Sequence, residues 1–86
     1  MKKLVSNIPQ DRLQEIVSKN IIANAVPISS NAYMKFLFVI WYNYIEPNGQ
    51  GSLECSYCLQ NVYNNFRSMQ ETIAEVYKEN QLLDVL

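Results

Sequence analysis

The two residues of this chain best suited to chemistry are Cys55 and Cys58, its only cysteines. On a helix, this CxxC spacing places both thiols on one face near the N-terminal end of the helix dipole, which lowers the pKa of a thiol. A redox site of the thioredoxin kind needs a βαβ context, which the flanking sequence lacks. Because the chain has no His, only a dimer that pools four thiolates could build a zinc site. We therefore favour two small, packed cysteines at the start of a helix in a reducing cytosol.

No other group of residues has the types that catalysis requires. The absence of His excludes Ser/His/Asp and Cys/His sets. Gly49 and Gly51 flank Gln50 in a turn and do not form a phosphate-binding loop. We therefore expect a protein that is not an enzyme and needs no cofactor, with zinc shared across a dimer as the alternative.

Charge is distributed unevenly along the chain, although the net charge is only −1. Residues 1–45 carry five Lys or Arg against two Asp or Glu, whereas residues 46–86 carry two against six. The two halves could therefore attract each other, within one molecule or between neighbours. Glu71, Glu75 and Glu79 form an acidic line at helical spacing, which we interpret as a solvated face rather than a site for a basic partner. The small net charge argues against nucleic-acid binding.

The composition indicates a single small all-α domain over residues 1–86. Two Gly and three Pro supply few of the turns that a β sandwich needs, and alternation of apolar and polar residues is hard to find. A chain of this length buries only about 60–65% of its unfolded surface, so we expect it to depend on a partner for stability.

The sequence predicts neither export nor membrane insertion. It begins with Met-Lys-Lys-Leu-Val, as a signal peptide can, but Asn7 and Pro9 interrupt any apolar core. The most apolar stretch, residues 36–42, is far shorter than the roughly 20 residues of a membrane-spanning helix. We therefore expect a cytoplasmic protein without a membrane partner.

Spacing and capping signals predict a small bundle of two short helices and one long C-terminal helix, over residues 9–25, 30–46 and 52–84. Pro9 suits the first turn of the first helix. Ser29 or Ser30 can cap the second helix, and Ser52 can cap the third.

The strongest pattern lies in the third helix, where core-type positions recur at alternating steps of three and four. They are Leu59, Val62, Phe66, Met69, Ile73, Val76, Asn80 and Leu83. Tyrosines such as Tyr63 and Tyr77 widen this face, and complementary charge pairs are missing, so we favour a bundle helix over a two-stranded coiled coil. Such a helix reaches about 45–48 Å, and we expect the two short helices to leave part of it uncovered.

A block within residues 33–69 resembles small uncharacterised helical proteins of tailed phages and prophages, which have an aromatic helix, a Pro-containing loop and a CxxC at the start of the next helix. The block reads Tyr33-Met34-Lys35, Trp41, Tyr44-Ile45-Glu46-Pro47-Asn48, Cys55, Cys58, Val62, Asn65-Phe66 and Met69. The resemblance implies no catalytic residue. It implies a virus or mobile element as the source, and hence a role in virion assembly or in binding a host factor, in the host cytoplasm or the virion.

We predict a non-enzymatic protein for protein–protein interaction or assembly, which forms a homo-oligomer or docks on a larger assembly. Residues 36–42 are apolar at every angle around the second helix, so this helix is either the central core helix of the bundle, which we favour, or lies between its own fold and a partner. The predicted contact residues are Phe38, Trp41, Tyr42, Tyr44, Met69, Ile73, Val76 and Leu83. The alternative is a regulatory or host-factor-binding protein with a CxxC metal or redox switch shared across a dimer.

Overall fold

The computed structural model describes the backbone of residues 2–85 and the side chains of residues 2–83. This part of the chain contains five α-helices and one π-helical turn, joined by loops. In chain order they are α1 (Lys2–Val5), α2 (Gln10–Ser18), α3 (Ile21–Asn24), α4 (Ala32–Ile40), the π-helical turn (Trp41–Ile45) and α5 (Ser56–Val85). No strand occurs within residues 2–85, which confirms the all-α prediction. The predicted division into three helices is too coarse, because two of those helices change geometry along their length and α1 has no counterpart among them.

The first predicted helix, over residues 9–25, is interrupted at Asn20. This residue adopts a left-handed conformation with a φ of 50°, which Asn tolerates because its short amide can bond locally. Asn24 supports the break, since its Nδ2 donates to the carbonyl oxygen of Asn20 at 3.0 Å. The chain changes direction there, and Ile21 and Ile22 of α3 enter the core.

The second predicted helix begins later than expected because its N-cap is Asn31, not Ser29 or Ser30. The Asn31 side-chain oxygen accepts a hydrogen bond from the Met34 N–H at 2.8 Å. Asn is among the residues that satisfy the free amides of a first turn best. The capping residue therefore places the start of α4 at Ala32.

The same helix ends in a π-helical turn instead of continuing as α-helix to residue 46. The Glu46 N–H donates to the carbonyl oxygen of Trp41, five residues earlier, at 2.8 Å. A π-helical turn admits one more residue than an α-helical turn. It brings Glu46 back under the Trp41 indole and ends the helix before Pro47.

The long helix α5 starts four residues later than predicted, at Ser56, because Cys55 and not Ser52 precedes its first turn. Ser52 instead closes a local turn, in which its Oγ accepts from the Glu54 N–H at 3.1 Å. With 30 residues, α5 is about 45 Å long at 1.5 Å per residue. This length equals the longest dimension of the molecule, 44 Å, so α5 is the axis against which the other helices pack.

The core forms between α5 and the elements that precede it, which pack on α5 or on one another. Trp41 of the π-helical turn belongs to this core and contacts Phe66 of α5, with ring centroids 6.0 Å apart. The apolar stripe of α5 is buried from Leu59 to Val76. Of the predicted contacts on the part of this helix that we expected to lie uncovered, Met69, Ile73 and Val76 are therefore buried, and only Leu83 is exposed. The physical reason is that α1 and α2 pack over this half of α5, with Val5 of α1 fully buried.

Asn80 marks the end of the buried stripe and ties α2 to α5. Its Nδ2 donates to Oε1 of Gln10 at 3.0 Å, and Gln10 Nε2 donates to the Tyr77 carbonyl oxygen at 3.2 Å. The bundle interpretation of this stripe agrees with the fold, since α5 is covered by helices of its own chain. Among the helices described, none combines the length and apolar character that a membrane span requires.

Candidate interaction surface and CxxC disulfide

An open groove of about 440 Å³ lies between α2 and the outer side of α4 with its π-helical turn. It is lined by Arg12, Ala32, Lys35, Phe36, Val39, Ile40, Asn43 and Tyr44. Its floor is mostly apolar, and its polar side chains include the cations Arg12 and Lys35 and the amide Asn43. A groove of this kind suits an apolar segment with a few polar groups.

The groove exists because α4 has more apolar residues than one helix face can hide. Its inner side buries Met34, Leu37 and Phe38, together with Ile40, against the core. Val39 points the other way and is 56% exposed, a large fraction for a valine in the middle of a helix. The outer side of α4 therefore offers apolar surface that this chain does not cover.

The cations of the groove differ in how they are compensated. Arg12 Nη1 donates to Oε1 of Glu15 at 2.9 Å, and it lies 4.0 Å from Oδ2 of Asp11. Lys35 is exposed and has no ion pair within the described part of the chain. The side of the groove formed by α4 thus carries an uncompensated positive charge, which favours an occupant with carboxylates.

A second apolar surface lies at the C-terminal end of α5. Leu82 and Leu83 are 66% and 67% exposed. Glu75 and Glu79 precede Leu82 at seven and three residues, a spacing that places all three on one side of a helix. Lys2 Nζ donates a hydrogen bond to Oε1 of Glu79 at 2.7 Å, which makes the two residues an ion pair. This hydrogen bond and the negative charge of Glu79 raise the pKa of Lys2. The end of α5 therefore combines exposed leucines with carboxylates.

The residues predicted as contacts fall into three groups in the structure. Phe38, Trp41, Met69, Ile73 and Val76 are buried in the core of the chain itself. Tyr42 and Tyr44 are half-buried, and Tyr44 lines the groove. Leu83 is exposed at the end of α5. Only Tyr44 and Leu83 thus coincide with the two apolar surfaces.

The sequence interpretation missed Phe36, Val39 and Leu82. Lys35 supplies the signal that could have found Val39, because residues four apart share a helix face and Lys35 marks the solvent side of α4. The aromatic side chains drew the prediction to Phe38 and Trp41 instead, although Phe38 stacks on Tyr42 with ring centroids 4.8 Å apart inside the fold.

Cys55 and Cys58 are joined by a disulfide, which corrects the expectation of two packed free thiols. The Cys58 N–H donates to Sγ of Cys55 at 3.1 Å, so Cys55 caps the first turn of α5. Cys58 packs against the core, and the intervening Tyr57 is largely exposed. No group of three or more metal-ligating side chains occurs in the described part of the chain.

Comparison with known proteins assigns no family to this fold. No family model, no curated protein and no solved structure matches the chain. The relation to phage proteins remains a prediction from the sequence. The groove, the end of α5 and the disulfide are the features from which a function can be inferred.

Proposed function

We propose that this chain is a non-enzymatic assembly protein that associates head to tail, with the C-terminal turn of α5 of one copy seated in the α2/α4 groove of the next. The observation that carries the proposal is the groove itself, which has an apolar floor beside the exposed Val39 and an uncompensated Lys35. A segment that fits it needs apolar side chains with a carboxylate beside them on the same face.

The end of α5 has this chemistry. Leu82 and Leu83 provide the apolar side chains. Glu75, two turns before Leu82 on the same helix, provides a carboxylate, whereas Glu79 already pairs with Lys2 of its own chain. The opposite charges of the two halves of the sequence, +3 for residues 1–45 and −4 for residues 46–86, favour the same pairing between neighbouring copies. Seating this turn covers apolar surface on both partners at once.

The proposed contact joins two different surfaces, so it is heterologous. Repetition of a heterologous contact gives a closed ring or an open chain rather than a two-fold dimer. One helical turn in one groove is smaller than the roughly 1,200 Å² of stable complexes, so we expect weak and concentration-dependent association. Assembly from many weak contacts suits a virion component or a host-factor complex, the settings that the phage resemblance implies.

The test measures solution mass by light scattering across a concentration range that reaches about 1 mM, at which weak complexes become populated. We expect the mass of the unaltered protein to rise with concentration. Val39→Asp in the groove and Leu82→Asp at the helix end should each give a monomer. Val26→Asp is the matched control, because Val26 is 46% exposed and lies outside the groove.

A mixture of the two monomeric variants separates a heterologous contact from a symmetric one. The Val39→Asp variant keeps an intact α5 end, and the Leu82→Asp variant keeps an intact groove. Mixed together, they should form a one-to-one dimer that grows no further. A mixture that stays monomeric would contradict head-to-tail assembly, and an unaltered protein that remains monomeric at about 1 mM would exclude self-association through this groove.

A further inference from the structure

We propose that the Cys55–Cys58 disulfide is a reversible thiol-exchange site contained within one chain, with Cys55 as the sulfur that reacts with an external thiol. This inference goes beyond the proposed assembly function and does not depend on it. The predicted switch shared across a dimer needs two chains, whereas the bond between Cys55 and Cys58 needs one.

The backbone at the start of α5 favours the negatively charged form of the Cys55 sulfur. Cys55 occupies the cap position, and the Cys58 N–H points at its Sγ from 3.1 Å. The first amides of a helix have no partner within the helix, so they stabilise an anion at the cap together with the dipole of the 30-residue α5. A thiolate at Cys55 would inherit this hydrogen bond when the disulfide opens.

The two sulfurs differ in their surroundings. Both cysteines are half-buried, but Cys58 packs against the hydrophobic core, whereas Cys55 lies at the start of the helix and is not among the residues packed against the core. The intervening Tyr57 is largely exposed and does not pack into the core. The preceding loop is held in place because Gly51 lies against the ring of Tyr42. The capping hydrogen bond and the packing of Cys58 against the core therefore favour Cys55 as the reacting sulfur and leave Cys58 to close the bond again.

The exchange balances with a small thiol such as glutathione as co-reactant. A glutathione thiolate attacks Cys55 Sγ, forms a mixed disulfide and releases Cys58 as a thiolate, which takes up a proton. A second glutathione thiolate attacks the glutathione sulfur of the mixed disulfide and releases Cys55 as a thiolate. Two glutathiones are thereby oxidised to one glutathione disulfide, and the protein disulfide is reduced by two electrons.

The first test compares single-cysteine variants by their rate of alkylation with iodoacetamide. The Cys58→Ser variant keeps only the Cys55 thiol. The Cys55→Ser variant keeps only the Cys58 thiol, and the new serine at position 55 can still cap α5. We expect the remaining Cys55 to react at least about tenfold faster than the remaining Cys58 in the folded proteins, because thiolate character and access set the rate. In urea the difference should shrink, since it arises from the fold. Equal rates in the folded proteins, or a faster Cys58, would overturn the assignment of Cys55.

The second test titrates the unaltered protein with mixtures of reduced and oxidised glutathione, traps free thiols by alkylation and counts them by mass. We expect one reversible transition between zero and two free thiols, with the same midpoint from the oxidised and the reduced side. The Cys58→Ser variant should accumulate a glutathione adduct on Cys55. A disulfide that resists excess reduced glutathione, or thiols that never pair in excess oxidised glutathione, would refute exchange. The same titration on the Val39→Asp variant separates this result from the outcome of the assembly test.

Discussion

The hydrogen bond between Trp41 and Glu46 provides a sharp test of the π-helical turn. Trp41 is only 7% exposed, and its indole Nε1 donates to Oε2 of Glu46 at 2.9 Å. Glu46→Ala removes the acceptor and leaves a nearly buried N–H without a partner. A hydrogen bond to a charged group contributes about 1.5–3 kcal/mol, and the exposure of Glu46 reduces this through solvent screening. We therefore expect the free energy of unfolding to fall by about 1–2 kcal/mol.

A double-mutant cycle isolates this bond from other effects of the substitution. Trp41→Phe removes the donor, so Glu46→Ala should cost almost nothing in that background, and the difference between backgrounds gives the coupling energy. Urea unfolding followed by far-UV circular dichroism is the assay, because Trp41 is the only tryptophan and its fluorescence is lost in the variant. Each kcal/mol should lower Tm by about 4–8 °C in a chain of this size.

Glu54→Ala is the control for the loss of one exposed carboxylate. Its side chain takes part in none of the ion pairs described, and only its backbone N–H bonds to Ser52. A surface substitution of this kind changes stability by less than about 0.5 kcal/mol. If Glu46→Ala cost no more than Glu54→Ala, or if its cost were the same with Phe at position 41, the indole bond would not hold the π-helical turn.

Three further predictions concern the loop, the alkaline limit of stability and the start of α4. Gly51→Ala places a Cβ against the ring end of Tyr42, and overpacking should lower the free energy of unfolding by about 1–3 kcal/mol in urea titration. Burial and the charge of Glu46 raise the pKa of Tyr42 from its ordinary value of 10. The neutral tyrosine therefore contributes stability that is fully present below pH 10 and is lost as pH rises through the folded-state pKa. Tyr42→Phe should remove this loss and flatten the alkaline side of a plot of Tm against pH. Asn31→Ala removes the side chain that accepts from the Met34 N–H and should cost about 1 kcal/mol, whereas Asn31→Asp should cost little by the same assay.

The all-α class could be predicted because it depends on composition and on long-range periodicity. The alternating three-four spacing from Leu59 to Val76 survives in the structure as a continuous buried stripe. That pattern is averaged over many residues, so no single competing interaction could displace it.

The helix boundaries could not be predicted because each depends on one local hydrogen bond. Serines at positions 29 and 52 are good caps in principle, yet Asn31 and Cys55 make the capping bonds. The break at the left-handed Asn20 is also hidden from the sequence pattern, because the amphipathic pattern continues across it. The Asn24 side-chain hydrogen bond and the burial of Ile21 and Ile22 favour the turn.

Which apolar residues of α4 lie at the surface could not be predicted, for a different reason. A sequence shows which residues are apolar but not which of two apolar sides of a helix faces inward. On α4, Phe38 and Val39 are neighbours in sequence, and packing buries the first and exposes the second. The four-residue α1 is too short to give a periodic signal, yet together with α2 it packs on the half of α5 that contains Ile73 and Val76.

The two proposed sites use opposite ends of one helix, and this separation sets how they can influence each other. Cys58 and Leu83 are 25 residues apart on α5, about 38 Å along the axis, well beyond the roughly 8–10 Å over which charges act in physiological salt. Opening the disulfide therefore cannot change the charge that the α5 end experiences. Opening the disulfide could act on assembly only through the loop that precedes α5. In this loop Gly51 lies against the ring of Tyr42, which packs on Phe38 of α4, the helix that forms one side of the groove. Association that weakens in reductant would place the coupling at this contact, and association that is unchanged would make the two sites independent.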